Sequence, residues 1–192
     1  LKPQNILMDG EGRPHVTDFG LAKSMSAKQK DAATLTVSGI ILGTPAYMSP
    51  EQASGGKIKL DARSDIYSLG AVLYECLCGR TPFHGNSSLD IVMQVIKSDP
   101  PPPSQVAKHP VPAEVETICL KAMEKDRERR YATAQAFADD LDRWLTGESI
   151  EARPQSAWYR LQKKVRTNPV LASALAAAAV GAIAVAGMAL TG

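Results

Sequence analysis

The chain has 192 residues, long enough for one domain with a sizeable core. Its 22 Lys and Arg nearly balance 20 Asp and Glu, and a formal net charge of +2 leaves no basic footprint for nucleic acid. Three cysteines, Cys76, Cys78 and Cys119, make no C-x-x-C pair, and His15, His84 and His109 are scattered. Buried thiols in a reducing compartment are therefore expected, not a metal cluster.

In chain order, Ile6-Leu7-Met8 and His15-Val16-Thr17 are short strand-like runs around Asp9-Gly10-Glu11-Gly12, which has turn chemistry. Such a hairpin predicts Asn5 opposite Asp18. A carbonyl oxygen and a carboxylate would then meet at one end, a hard-oxygen site suited to Mg²⁺ on nucleotide phosphates. From Leu21 to about Ser38 the chain is polar with interspersed charge and no apolar period, which predicts a loop. Asp65 to Cys78 is apolar nearly all round and ends at Gly79, which predicts a buried helix. Further helices are expected over Leu89 to Ile96, Glu114 to Met123 and Ala134 to Leu145, with Pro100 to Pro103 as a stiff connector. Lys125 to Arg129 is expected to be a solvated charge run.

The end of the chain is of different material. A polar linker over 147–168 carries Trp158, Tyr159, Arg160, Lys163, Lys164 and Arg166, a mixture suited to a membrane interface. Residues 169–190 then form an Ala-rich apolar segment, uncharged from Val170 to Leu190. As a helix that run spans ~31 Å, enough to cross the hydrocarbon core of a bilayer. The positive flank on its N-terminal side predicts a single-pass protein in the cell membrane, with residues 1–146 in the cytoplasm. Ser173, Ala177 and Gly181 recur every four residues, a spacing that suits helix pairing and hence a homodimer.

An ordered set of motifs carries a family resemblance. Leu1-Lys2-Pro3-Gln4-Asn5 is followed by Asp18-Phe19-Gly20, by Gly43-Thr44 through Ser49-Pro50-Glu51, and by Asp65-Ile66-Tyr67-Ser68-Leu69-Gly70. Over about residues 1–146 the chain resembles the C-terminal lobe of a bacterial, membrane-anchored, eukaryotic-like serine/threonine protein kinase. The implied fold is the α+β protein-kinase-like fold, C-lobe only, mainly helical with a small β-hairpin, followed by the transmembrane helix. The implied reaction moves the γ-phosphate of ATP, held with Mg²⁺, to Ser or Thr hydroxyls of a protein substrate.

The resemblance also implies residue roles. Asn5 and Asp18 would hold the metal and nucleotide phosphates. Lys2 would steady the transferred phosphoryl group, and Thr44 would join the catalytic network. Thr34, Thr36 and Ser38 would be phosphorylated in the activation loop. Glu51 and Arg130 would form a buried structural pair, and Asp65 would hold the catalytic loop by its backbone N–H groups. Ser49 stands where the family usually has Ala. The catalytic Asp, which in the family immediately precedes Leu1, and the whole N-terminal lobe are not in these 192 residues. The chain begins with Leu rather than Met and reads as cut from something longer, so the piece itself is expected to be inactive. The alternatives are a pseudokinase, or a membrane-tethered adaptor that binds partners without phosphoryl transfer.

Overall fold

The computed structural model describes residues 1–17, 44–55 and 60–152. They belong to one compact unit, Leu1–Ala152. A two-stranded antiparallel sheet, β1 (Ile6–Met8) and β2 (Pro14–Val16), precedes a helical body. The helices are α1 (Pro50–Ala53), α2 (Arg63–Cys78), α3 (Ser88–Lys97), α4 (Pro103–Val106), α5 (Ala113–Ala122) and α6 (Ala134–Thr146). Short 3₁₀ turns lie at Pro3–Asn5, Pro45–Tyr47 and Arg127–Arg129.

The body is built around α2. Its sequence has no wide polar face, and Ile66, Tyr67, Ala71 and Tyr74 are buried to within 1%. Burying apolar surface on both sides of one helix draws two sets of neighbours onto it. On one side Tyr67, Ala71, Tyr74 and Cys78 pack with Ala46, Tyr47, Phe83, Val92 and Val95. On the other, Ile66 packs with Ile118, Ala122, Tyr131, Phe137 and Ala152. Gly79 ends α2 with φ 68°, a left-handed cap that suits glycine.

Local sequence sets the other helix ends. Ser87 and Asp90 form a reciprocal capping box at α3, Ser87 Oγ accepting from Asp90 N at 3.1 Å. Thr133 caps α6, its hydroxyl accepting from Ala136 N at 3.1 Å. The proline run acts as the expected connector, and its last member, Pro103, opens α4, where a missing N–H is harmless.

Several expectations need correction. The helix expected from Asp65 begins two residues earlier, at Arg63, where Asp61 Oδ1 accepts from Arg63 N at 2.9 Å. Lys125 is not a solvated charge: its ammonium donates to Val95 O at 2.6 Å and Tyr67 Oη at 3.2 Å, and lies 4.4 Å from the Phe83 ring centroid. Cys78 and Cys119 are buried, but Cys76 is exposed, because it falls on the outward side of α2. Packing also continues past residue 146: Ile150 and Ala152 join the second cluster. Among the described residues no helix is long and apolar enough to cross a membrane. The expected span at 169–190 and most of the linker before it lie outside the described residues.

Close approach of α2 and α5 depends on Gly70. A Cβ there would come within 2.9 Å of both Ala122 Cβ and Met123 Cγ, and within 3.3 Å of the Ala122 backbone. Gly70→Val should therefore overpack this contact and cost ~1–3 kcal/mol, measurable by denaturant unfolding. An unchanged midpoint would show that the two helices can separate freely.

Candidate active site

The N-terminal hairpin is closed by one carboxylate. Asp9 Oδ1 accepts from Glu11 N and Arg13 N, each at 2.9 Å. Its Oδ2 accepts from Arg13 Nε and faces His15 Nε2, again at 2.9 Å. His15, then Arg13, hold the Asp9 carboxyl down at about 2. Gly12, with φ 78°, supplies the left-handed step that lets the loop close.

Closure at Asp9 and Arg13 sets the register: Ile6 pairs with Val16, and Met8 with Pro14. Asn5 therefore faces Thr17, not Asp18 as expected, and Thr17 N donates to Asn5 O at 2.8 Å. β2 accordingly starts one residue early, at Pro14. The loop is centred on Glu11 rather than between Glu11 and Gly12, and that half-step moves the partner by one. Asp18, next in the chain, lies outside the described residues, as do Thr34, Thr36 and Ser38. Lys2, half-buried, precedes the 3₁₀ turn that ends in Asn5, and Asn5 N donates to Lys2 O at 3.0 Å.

The second half of the site starts at Thr44. Thr44 is exposed and precedes the 3₁₀ turn Pro45–Tyr47, with no side-chain cap bond of its own. Beyond it the chain sinks into the body. Tyr47 Oη donates to Glu75 Oε2 at 2.6 Å, and Ser68 Oγ donates to Tyr47 O at 2.8 Å. Burial first, then Glu75, pushes the Tyr47 phenol upward, so it stays a donor. Ser49, read only as a substitute for Ala, is the N-cap of α1. Its N–H donates to Gln52 Oε1 at 3.0 Å, and its hydroxyl accepts from Gln52 N at 3.4 Å. The spacing Ser49-Pro50-Glu51-Gln52 is a capping-box signature and was legible in the sequence.

Glu51 and Arg130 meet as a planar, two-bonded pair. Arg130 Nη1 donates to Glu51 Oε1 at 2.7 Å, and Nη2 to Oε2 at 2.8 Å. The remaining guanidinium N–H groups reach the carbonyls of Glu124 at 2.7 Å, Arg63 at 3.0 Å and Lys125 at 3.3 Å. All of Arg130's donors are thus used. Ser64 Oγ adds a bond to Glu51 Oε1 at 2.8 Å. Burial works to raise the Glu51 carboxyl, but Arg130 and Ser64 outweigh it and hold the group at about 2. Asp65 is exposed, and its Oδ1 lies 3.9 Å from the Leu1 nitrogen, the start of the motif that contains Lys2 and Asn5. Sequence reasoning did not single out Tyr47, Ser64 or Glu75, because only folding brings them to this segment.

This arrangement joins a hairpin bearing Asn5 to a segment anchored through Glu51 on a helical body, which is the architecture of a protein-kinase lobe. The chain belongs to the protein kinase domain family, which matches residues 1–141. It is similar to a probable serine/threonine-protein kinase PknB of Bifidobacterium longum, 44% identical over 147 residues, covering 77% of this chain and 20% of that protein. It is also similar to serine/threonine-protein kinase PknB of Mycobacterium leprae, 40% identical over 153 residues, covering 79% and 23%. PknB of Mycobacterium tuberculosis is 41% identical over 153 residues, with the same coverage. The chain thus spans about a fifth to a quarter of these relatives' length.

Removing either partner of the buried pair strands a charge. Arg130→Ala or Glu51→Ala should cost ~3–5 kcal/mol in unfolding free energy. Arg130→Lys should also destabilise, since one ammonium cannot reproduce the fork. The Glu51 carboxyl falls from 4.5 to about 2 on folding. Its contribution is therefore fully present above pH 4.5 and is lost as pH falls through that interval toward 2. Unfolding curves of wild type and Glu51→Gln should converge over that range, and a constant gap would reject the assignment.

Proposed function

We propose that the intact protein is a serine/threonine kinase that transfers the γ-phosphate of ATP to Ser or Thr hydroxyls of a protein substrate. The observation that carries this reading is the paired geometry of the two ends of one segment. The hairpin fixes Asn5 beside the residue that leads into Asp18, while Glu51 is locked onto Arg130 at the far end. The names of the relatives support the same activity.

The donor set fits a magnesium ion. Asn5 offers a side-chain carbonyl, and its backbone carbonyl is already taken by Thr17, which fixes the residue's place in the register. Asp18 supplies the carboxylate, and both are hard oxygen donors of the kind Mg²⁺ takes. Bound there with ATP, the ion would neutralise phosphate charge. Lys2 contributes a fixed positive charge for the transferred phosphoryl group. Thr44, at the mouth of the anchored segment, orients the acceptor side and hydrogen-bonds within the catalytic network. Thr34, Thr36 and Ser38 are phosphorylated to order the loop between Asp18 and Thr44. Asp65 holds the start of the Lys2–Asn5 motif by its backbone. The isolated 192-residue piece is inactive, because positioning and charge neutralisation need the Gly-rich loop, the nucleotide-contacting Lys and the catalytic Asp together.

The protein acts at the cell membrane, with this domain cytoplasmic and residues 169–190 as its single transmembrane helix, which also pairs it as a homodimer. The charge pattern supports that orientation, since Arg160, Lys163, Lys164 and Arg166 all precede the apolar run.

In the intact protein, Asp18→Asn should abolish phosphoryl transfer in Mg²⁺-ATP assays while the unfolding midpoint stays unchanged. Near-normal transfer would reject the metal role, and a wild-type protein that binds ATP without transferring phosphate would favour the pseudokinase reading. Replacing Thr34 and Thr36 together with Ala should lower activity. Phosphate mapped only outside residues 24–44 would count against the loop assignment. Topology is tested separately. A reporter active only outside the cytoplasm should be on when fused after Gly192 and off when fused after Leu145. A silent reporter after Gly192, together with release from membranes by salt, would remove the span.

A further inference from the structure

Asp140 on α6 is fully buried, and nothing in the proposed chemistry uses it. Four donors converge on its carboxylate. Oδ1 accepts from Glu151 N at 2.7 Å and from Arg143 Nη1 at 3.0 Å. Oδ2 accepts from Ala152 N and from Tyr131 Oη, each at 2.9 Å. A buried carboxylate is costly unless its lone pairs are filled, and here all are. Burial works to raise this carboxyl, but the amides of Glu151 and Ala152, with Tyr131 and Arg143, outweigh it and lower the group.

Arg143 lies on α6 itself, and the other three donors come from the stretches before and after that helix. Two are backbone N–H groups of the segment that follows α6. Gly147 ends α6 with φ 77°, Glu148 N donates to Arg143 O at 2.8 Å, and Ala152 then packs into the second core cluster. Another is Tyr131, the residue after Arg130. The Tyr131 ring is confined, 5.4 Å from Phe137 by centroids and 4.2 Å below the Lys121 ammonium. The dipeptide Arg130-Tyr131 is therefore held at one end by Glu51 of α1 and at the other by Asp140.

We propose that Asp140 is a clasp that couples the segment leaving the domain, residues 147–152, to the Glu51 anchor of α1 through Arg130-Tyr131. Pulling Glu151 and Ala152 away leaves two acceptor sites of a buried carboxylate empty. The carboxylate then keeps only Tyr131 and Arg143 and shifts toward them, and Tyr131 carries that displacement to the neighbouring Arg130 fork. Whatever moves the chain beyond Ala152 is thereby felt at α1. Coupling of this kind is reciprocal, so loosening α1 must also loosen the exit segment. The inference rests on bonds within the domain and stands whether or not the protein transfers phosphate.

Amide hydrogen exchange on the intact protein tests it without reference to activity. Tyr131→Phe keeps the ring but removes the hydroxyl link. It should speed exchange at Ala53 and Ser54 of the α1 region roughly tenfold, the effect of one hydrogen bond to a charged group. Gly79 and Ala107, which belong to neither end of the link, should not change. Asp140→Asn, which keeps one acceptor oxygen, should do the same and also free one of the two amides, Glu151 or Ala152. In the reverse direction, Arg130→Lys should speed exchange at Glu151 and Ala152. Unchanged α1 amides in Tyr131→Phe would overturn the coupling, as would equal acceleration at every site, which would mean global destabilisation. If Asp140→Asn does not fold, Tyr131→Phe and Arg130→Lys decide the question alone.

Discussion

The Glu51–Arg130 ion pair is the interaction on which the rest depends. A carboxylate and a guanidinium that are both out of water must satisfy each other and every remaining donor. Here that requirement recruits Ser64 from α2 and three backbone carbonyls, at Arg63, Glu124 and Lys125. One ion pair thus ties together α1, the start of α2 and the turn after α5. The Arg130 guanidinium carbon also lies 5.0 Å from the centroid of the Tyr67 ring, so the pair is roofed by the central helix. Buried pairs of this kind contribute little net stability against an apolar replacement. Their value lies in geometry, since a two-bonded fork admits only one arrangement of the segments that carry it.

That geometry positions the site. The chain from Thr44 onward goes from exposed to buried within three residues, and Tyr47 is held from two sides by Glu75 and Ser68 of α2. Ser49 then caps α1 so that Glu51 points to its partner. At the other end the hairpin is closed by Asp9, which leaves Asn5 fixed by Thr17. Each end is secured by a carboxylate, Asp9 with four close partners and Glu51 with three. Asp140 repeats the device where the chain leaves the domain.

Much of this was legible in the sequence. Apolar spacing predicted helices over Leu89 to Ile96, Glu114 to Met123 and Ala134 to Leu145, each within a residue of the observed Ser88–Lys97, Ala113–Ala122 and Ala134–Thr146. Arg130 could be matched to Glu51 only through the ordered motifs, because nothing in local pattern relates residues 79 apart. The misreadings share a cause. Lys125 looked like part of a solvated run, yet Val95 O and the Phe83 ring, supplied by other elements, make a better home for its ammonium than water does. The Asn5 register slipped by one because strand pairing is set by where the turn closes, which depends on the Asp9 side chain rather than on apolar alternation.

What the sequence determined by itself is local: which stretches are apolar on one face, where a helix can be capped, and which residue types suit phosphate and metal chemistry. Those properties depend on neighbours a few residues away, so a linear reading reaches them. Beyond the Glu51–Arg130 pair, which the ordered motifs implied, only the tertiary structure decided which carboxylates are buried and which donors answer them. Glu51 and Asp140 are alike as acids in the chain. One became an anchor and the other the clasp of the exit segment. The common reason is desolvation: a charge leaves water only where folding brings enough donors to one point, from 79 residues away for Glu51 and from both flanks of α6 for Asp140.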